Sequence, residues 1–171
     1  MLGPNMVPNK IPHNIHEVMH HVYSLVSAEE NKSIEFSIDY DPSIPVINFD
    51  RDLLVQAILN ITRNAIRAVE NNGEITFKTR VLRHYTINGT AHKLVACISI
   101  IDNGPGIADD IAAKIFFPMV SGQIDGTGLG LAISQMLINQ HDGLIEFDSV
   151  AGRTEFRVIL PIENGSNDKQ K

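Results

Sequence analysis

The sequence is poor in the features that would tie it to a disulfide framework, a membrane or a nucleic acid. Cys97 is its only cysteine, so no disulfide can form within the chain. Its place in the apolar run LVACISII reads as a buried thiol kept in a reducing compartment. Even that run falls far short of the roughly 20 apolar residues a membrane-spanning helix needs. No basic segment followed by an apolar one opens the chain, so it reads as untargeted and cytoplasmic, with no membrane partner. Basic residues are outnumbered: 14 Lys and Arg against 20 Asp and Glu leave a net charge of −6. That balance excludes the basic footprint on which a nucleic-acid-binding domain relies. Any anionic ligand must therefore be met by local donors or a metal ion.

What is present suits one ordinary globular domain: 171 residues, 43% hydrophobic and 20% charged, with no internal repeat. MLGPNMVPNKIP holds three prolines and no periodicity, so residues 1–12 read as a linker. Ile15, Val18, Met19, Val22, Leu25 and Val26 recur at helical spacing and predict an amphipathic helix over about 14–29. SIEFSIDY alternates as a strand does and ends in the turn DPSIP. Asp50 or Asp52 then caps a long helix reaching about Glu70, stopped by the NNG turn. EITFKTRVL and KLVACISII read as strands joined by a polar connection, INGTAH. Residues 103–127 are rich in Gly, Pro and Asp around a short amphipathic piece, IAAKIFF, and form a loop long enough to be functional. Helix returns over 128–141. GLIEFDSV and RTEFRVILP make a closing hairpin joined at Ala151-Gly152, and residues 163–171 read as a disordered tail. Short connections between consecutive strands predict an α/β (α+β) sandwich, its sheet mixed and mostly antiparallel with helices on one face.

Two features of this layout carry chemistry. In LLVQAILNITRNAIRAVE, Leu54, Ile58, Ile61, Ala65 and Val69 share one helical side, while Gln56, Asn60, Asn64 and Arg67 share another. An exposed face is usually filled by Glu, Lys or Arg, and Asn costs a few tenths of a kcal/mol, roughly, relative to them. Two stacked amides with a guanidinium beside them suit Mg²⁺ and phosphate oxygens, and so a metal nucleotide. The second feature is a pair of glycine-rich turns. IIDNGPGIADD holds a GxG after a strand, but Asp109 stands where a dinucleotide-binding turn would place its third glycine. Asp102 could instead accept a hydrogen bond from an exocyclic amine such as that of adenine, with the glycines letting the backbone approach the base. GTGLGLAI puts three glycines at a helix start, where unpaired N–H groups favour an anion. A helix cap or a left-handed turn would explain either set of glycines taken alone.

Together, Asn60 and Asn64 in NITRNAIRA, DNGPGI at 102–107, the Phe pair in IFFPMVSG and GTGLGL at 126–131 resemble, in order, the N, G1, F and G2 boxes of the sensor histidine kinase catalytic domain. That domain is a Bergerat-fold ATPase. DYDPSIPVI, FFPMVSG and TEFRVILPI more narrowly resemble NtrB-type nitrogen-regulation kinases, and the match runs over about 13–162. The resemblance implies ATP and Mg²⁺ as cofactors. Asn64 would ligate Mg²⁺, with Asn60 near the triphosphate and Arg67 where many relatives carry a phosphate-contacting Lys. Asp102 would hold the adenine amino group, with Gly104, Gly106 and Ile107 forming the turn beneath the base. Thr127, Gly128, Leu129 and Gly130 would close over the phosphates, and about 107–127 would be the ATP lid. Thr154 stands where the family often has a Thr supporting the adenine-binding Asp, although the glycine usual before it is Arg153 here. Ala68 replaces an aromatic on which many relatives stack the base.

Within that fold, hydrolases carry a Glu one turn before the metal Asn to activate water. Here the place is Asn60, whose amide cannot take a proton, which favours phosphoryl transfer over hydrolysis. The implied partners are the kinase's own dimerisation and phosphoacceptor domain, an NtrC-type response regulator and a PII signalling protein. A true ATPase, or a nucleotide-gated binding module without transfer, are the competing readings. HEVMHH at 16–21 spells the HExxH of zinc proteases, but no HxxGxxH continuation follows. It also begins like an acceptor-histidine box yet lacks the Asn-Pro expected there, so it reads as the solvated face of a packed helix.

Overall fold

The computed structural model describes residues 7–29, 33–117 and 130–162. Helix α1, Ile15–Glu29, starts where Asn14 Oδ1 accepts the His16 N–H at 2.9 Å, and it buries Ile15, Val18, Met19, Val22 and Val26. Helix α2, Arg51–Ala68, is capped by Asp50, whose carboxylate accepts from Leu53 N–H at 3.2 Å. It ends before Val69, which is extended. A short α3, Asp109–Ala112, and α4, Gly130–Asn139, follow. The strands are β1 (Ile11–His13), β2 (Ile34–Asp39), β3 (Ile47–Phe49), β4 (Gly73–Ile87), β5 (Thr90–Asp102), β6 (Leu144–Val150) and β7 (Arg153–Pro161).

The main sheet runs β2-β4-β5-β7-β6. Only the edge pair β2–β4 is parallel, because α2 carries the chain back across the sheet between them; the other three pairings are antiparallel. Alternation along the strands sends Ile75, Phe77, Ala96, Ile98, Ile100, Phe156, Val158 and Leu160 into one cluster with the buried faces of α1, α2 and α4. The helices thus cover one face, as the pattern of elements predicts. On the other face Ile87, Val95, Cys97 and Ile159 make a smaller cluster. The Cys97 thiol is buried there, and burial pushes its pKa up, outweighing a hydrogen bond from Ser99. No described helix is long and apolar enough to cross a membrane.

Two sequence expectations need correction. Residues 11 and 12 are not linker: β1 pairs antiparallel with β3, and the Asn9 N–H donates to Asp50 Oδ2 at 2.8 Å. Three-residue strands are too short to show an alternation, so both were hidden among prolines. INGTAH is not a polar connection either. Pairing continues to Ile87↔Thr90, leaving only Asn88 (φ 47°) and Gly89 (φ 81°) as the turn. Positive φ at both positions is the primed two-residue turn that Asn-Gly favours, since its twist matches that of the strands.

Two histidines tie the helices to their surroundings. His16 Nε2 and Thr79 Oγ1 stand 2.9 Å apart, and the imidazole stacks on Tyr40 at 4.7 Å. His141 Nε2 accepts the Asp50 N–H at 3.0 Å while Nδ1 donates to Leu137 O at 2.8 Å. Burial lowers the pKa of His16 against a raising pull from Asp41. Burial likewise lowers that of His141 against its bond to Leu137. Both are favoured neutral in the folded state. Their contribution is complete above the unfolded pKa of about 6.5 and is lost as pH falls below it toward the folded values. The urea midpoint should therefore drop between pH 7.5 and pH 5. His141→Gln keeps an acceptor for Asp50 but does not titrate, so its drop should be smaller; an equal drop would assign the effect to other groups.

Candidate functional site

The site begins with the orientation of α2. Leu54, Ile58 and Ile61 are 0% exposed and Ala65 is 2% exposed, which fixes the helix about its axis. Gln56, Asn60 and Asn64 are then half-buried along one flank, and Arg67 is exposed in the last turn. Asn60 Nδ2 donates to Gly130 O, the first residue of α4, at 3.4 Å.

Asp102 closes β5 at 3% exposure, opposite Ile75 on β4 and Thr154 on β7. Its Oδ1 accepts the Gly104 N–H at 2.9 Å. Burial pushes its pKa up, and that hydrogen bond pulls it back. The turn that follows admits no side chain at positions 104 and 106. A Cβ on Gly104 would stand 2.8 Å from Asp102 Oδ1 and 3.0 Å from Ala68 O, and one on Gly106 (φ +92°) would stand 2.8 Å from Val150 O. Ala68 is the last residue of α2, so the glycine turn lies directly against the end of the amide-bearing helix.

Three further contacts hold the turn. Gly152 N–H, in the β6–β7 turn, donates to Gly104 O at 3.0 Å. Ile107 N–H donates to Ser149 Oγ at 2.8 Å, and that hydroxyl meets Thr154 Oγ1 at 2.7 Å. On the other side, the Asn103 N–H donates to Glu74 O at 3.2 Å and Asn103 Oδ1 accepts the Glu74 N–H at 2.8 Å. Beyond the turn, Phe116 packs edge-on against Phe147 and Phe156.

The structure thus brings Asp102, Gly104, Gly106, Ile107 and Thr154 together at one end of the sheet, against the end of α2 at Ala68, and joins Asn60 to Gly130 farther back along the same helix. The Thr154 hydroxyl engages Ser149. Thr127, Gly128 and Leu129, with the lid from residue 118 on, lie outside the described residues. His16 is engaged with Thr79 and Tyr40, His20 is exposed, and among the described residues no three His, Cys, Asp or Glu are grouped to hold a metal. Sequence reasoning missed Asn103, Ser149 and Gly152. Ser149 had a signal: alternation puts its hydroxyl on the core-facing side of β6 with Ile145 and Phe147.

Comparison with known proteins agrees with this geometry. Residues 49–164 match the family described as histidine kinase-, DNA gyrase B-, and HSP90-like ATPase. The sensory histidine kinase/phosphatase NtrB of Klebsiella oxytoca is 45% identical over 163 residues, covering 95% of this chain and 47% of the relative. The chain therefore spans about half the length of the curated relatives it matches. Among solved structures, the nucleotide-free catalytic domain of histidine kinase ThkA superposes with a TM-score of 0.77 at 26% identity, covering 90% of this chain and 96% of that one. ThkA in complex with response regulator protein TrrA superposes with a TM-score of 0.72 at 26% identity, covering 91% and 42%. A chain with this family match, this sheet order and this turn at Asp102 belongs to the histidine kinase-, DNA gyrase B-, and HSP90-like ATPases, and within them it is similar to NtrB and to the catalytic domain of ThkA.

Proposed function

We propose that residues 13–162 bind Mg-ATP at the end of the sheet and deliver the γ-phosphoryl group to a histidine on a dimerisation domain of the full-length protein, in the cytoplasm. The observation that carries this reading is the buried carboxylate of Asp102, held by one edge through Gly104 beside a turn that only glycine fits. Its other edge suits the adenine amino group. Gly104, Gly106 and Ile107 lie under the base, and Thr154 braces the turn after the carboxylate through Ser149, which holds the Ile107 N–H. Asn60, Asn64 and Arg67 face the phosphates along α2, and Thr127, Gly128, Leu129 and Gly130 lead into the helix whose N-terminal N–H groups favour an anion. About 107–127 form the lid.

The donor set fits Mg²⁺ in a particular way. Asn64 offers a neutral amide oxygen, and no cluster of carboxylates stands among the described residues, so the ion is suited to arrive with the phosphates as co-ligands. Bound there, it supplies charge neutralisation at the transferring group. The chain's own contribution is positioning. Asn60 donates to Gly130 O and cannot act as a base, and no carboxylate occurs on α2 between Gln56 and Arg67. Water attack is therefore slow, and ATP is kept for another nucleophile. The likeness to NtrB and to a kinase solved with its response regulator supports onward transfer to an aspartate of an NtrC-type regulator. The narrower likeness to NtrB supports control by a PII signalling protein.

Titration calorimetry with a non-hydrolysable ATP analogue and Mg²⁺ should show binding that weakens by about 10-fold or more in Asp102→Asn, the scale of a hydrogen bond to a charged group. Undiminished binding by the variant would remove adenine from Asp102, and no binding by the unmutated chain would end the nucleotide reading. With labelled ATP and a separately supplied acceptor domain, the unmutated chain should phosphorylate the histidine and Asn64→Ala should not. Steady hydrolysis without acceptor, abolished by Asn64→Ala, would make the domain an ATPase instead.

A further inference from the structure

Two buried polar residues, Ser134 and His141, are used by nothing described so far in the site. Ser134 is 0% exposed and His141 5% exposed, and both reach across to α2. Ser134 Oγ donates to Ala57 O at 2.9 Å. His141, just past the end of α4, accepts the Asp50 N–H at 3.0 Å. With Asn60 Nδ2 on Gly130 O at 3.4 Å, these make three rungs between antiparallel helices. From the first rung to the second, α2 retreats three positions and α4 advances four; from the second to the third each moves seven. Residues 130, 134 and 141 lie within about 40° on a helical wheel, so a single face of α4 and its C-terminal turn carries the whole set.

We infer that Ser134 and His141 are positioning residues that fix where α4 stands along α2, and with it the distance from the N-terminus of α4 to the amides of Asn60 and Asn64. Apolar contacts between two helices tolerate sliding, whereas hydrogen bonds do not. A slide of one residue, about 1.5 Å, would break every rung and leave the Ser134 hydroxyl and the Asp50 N–H unpaired in the interior. Fixing register is the best-attested use of buried polar groups between helices. The two residues are also braced at their own positions. His141 Nδ1 donates to Leu137 O, which sets the tautomer that leaves Nε2 as an acceptor. Asp50, its partner, is the residue that caps α2.

This inference rests on the nucleotide reading, with adenine on Asp102 of β5 and the phosphates between α2 and α4. Register between the helices must then affect phosphate binding and leave the nucleoside alone. The test is affinity for two ligands, AMPPNP with Mg²⁺ by calorimetry and adenosine by NMR titration, each measured well below the thermal midpoint of the variant. Ser134→Ala and His141→Phe should each weaken AMPPNP by about 10-fold, since misplacement on the order of 1 Å is costly at a phosphate site, and should leave adenosine unchanged. His141→Gln, which restores an acceptor to Asp50, should recover most of the loss. A residue that served stability alone would lower the thermal midpoint and leave the ratio of the two affinities as it was, and that result overturns the inference. If His141→Phe does not fold, Ser134→Ala decides by the same ratio. An unmutated chain that binds neither ligand would overturn the nucleotide reading and this inference with it. An unmutated chain that binds both, with variants that lose neither or lose both equally, overturns the register alone.

Discussion

Burial of one side of α2 against the middle of the sheet is the constraint from which the rest follows. Each of Leu54, Ile58 and Ile61 is fully buried, and burial of such a side chain contributes about 1.5–3 kcal/mol. The preference of an exposed helix for Lys or Glu over Asn amounts to only a few tenths of a kcal/mol, roughly. The core therefore sets the rotation of the helix, and the amides stand where that rotation puts them. A turn of one residue, about 100°, that brought Ile61 out to the place of Asn60 would carry Asn60 round to that of Leu59, off the flank it shares with Asn64. The direction in which the amides face is thus a by-product of packing, and it is as rigid as the packing.

The carboxylate of Asp102 is organised differently. It sits buried at a strand end, and its turn is held by hydrogen bonds from three directions. These are Gly152 onto Gly104, Ile107 onto Ser149, and Asn103 onto Glu74. Both glycines serve close approach, Gly104 to Asp102 and Ala68, Gly106 to Val150. Burial disfavours the ionised form of Asp102. A donor that meets its free edge would compensate that loss, so the site's demand for a hydrogen-bonding ligand is set by the same burial that makes the carboxylate costly.

Much of this was legible in the sequence where a pattern repeats. The stripes of α1 and α2, the alternation of β2, β4, β5, β6 and β7, and the two faces of α2 follow from periodicity over many residues. Asp102 was legible as a strand-end acid before two glycines. Elements without room for a period were not: β1 and β3 hold three residues each. The Asn-Gly at the tip of the β4–β5 hairpin was a readable turn signal that its polar neighbours masked. Contacts between segments distant in the chain left no local trace, which is why Asn103 onto Glu74 and His141 onto Asp50 emerge only from the folded arrangement. Ser134 is one polar residue in a mostly apolar helix, and its part shows only with Ala57 O beside it.

The hairpin closed by Asn88-Gly89 also has a consequence for the order in which the sheet can assemble. Its first rung, Ile87↔Thr90, closes a minimal loop, and each later rung adds only a small further entropy of closure. Pairing can therefore zip away from the turn, with Ile75↔Asp102 as the last rung. β2, which joins in parallel across α2, has a long loop to close and must follow more slowly. The end of the hairpin that carries Asp102 is consequently the last to form and the first free to fray. The two hydrogen bonds between Asn103 and Glu74 stand at that end, a latch on the seam rather than a part of the pocket.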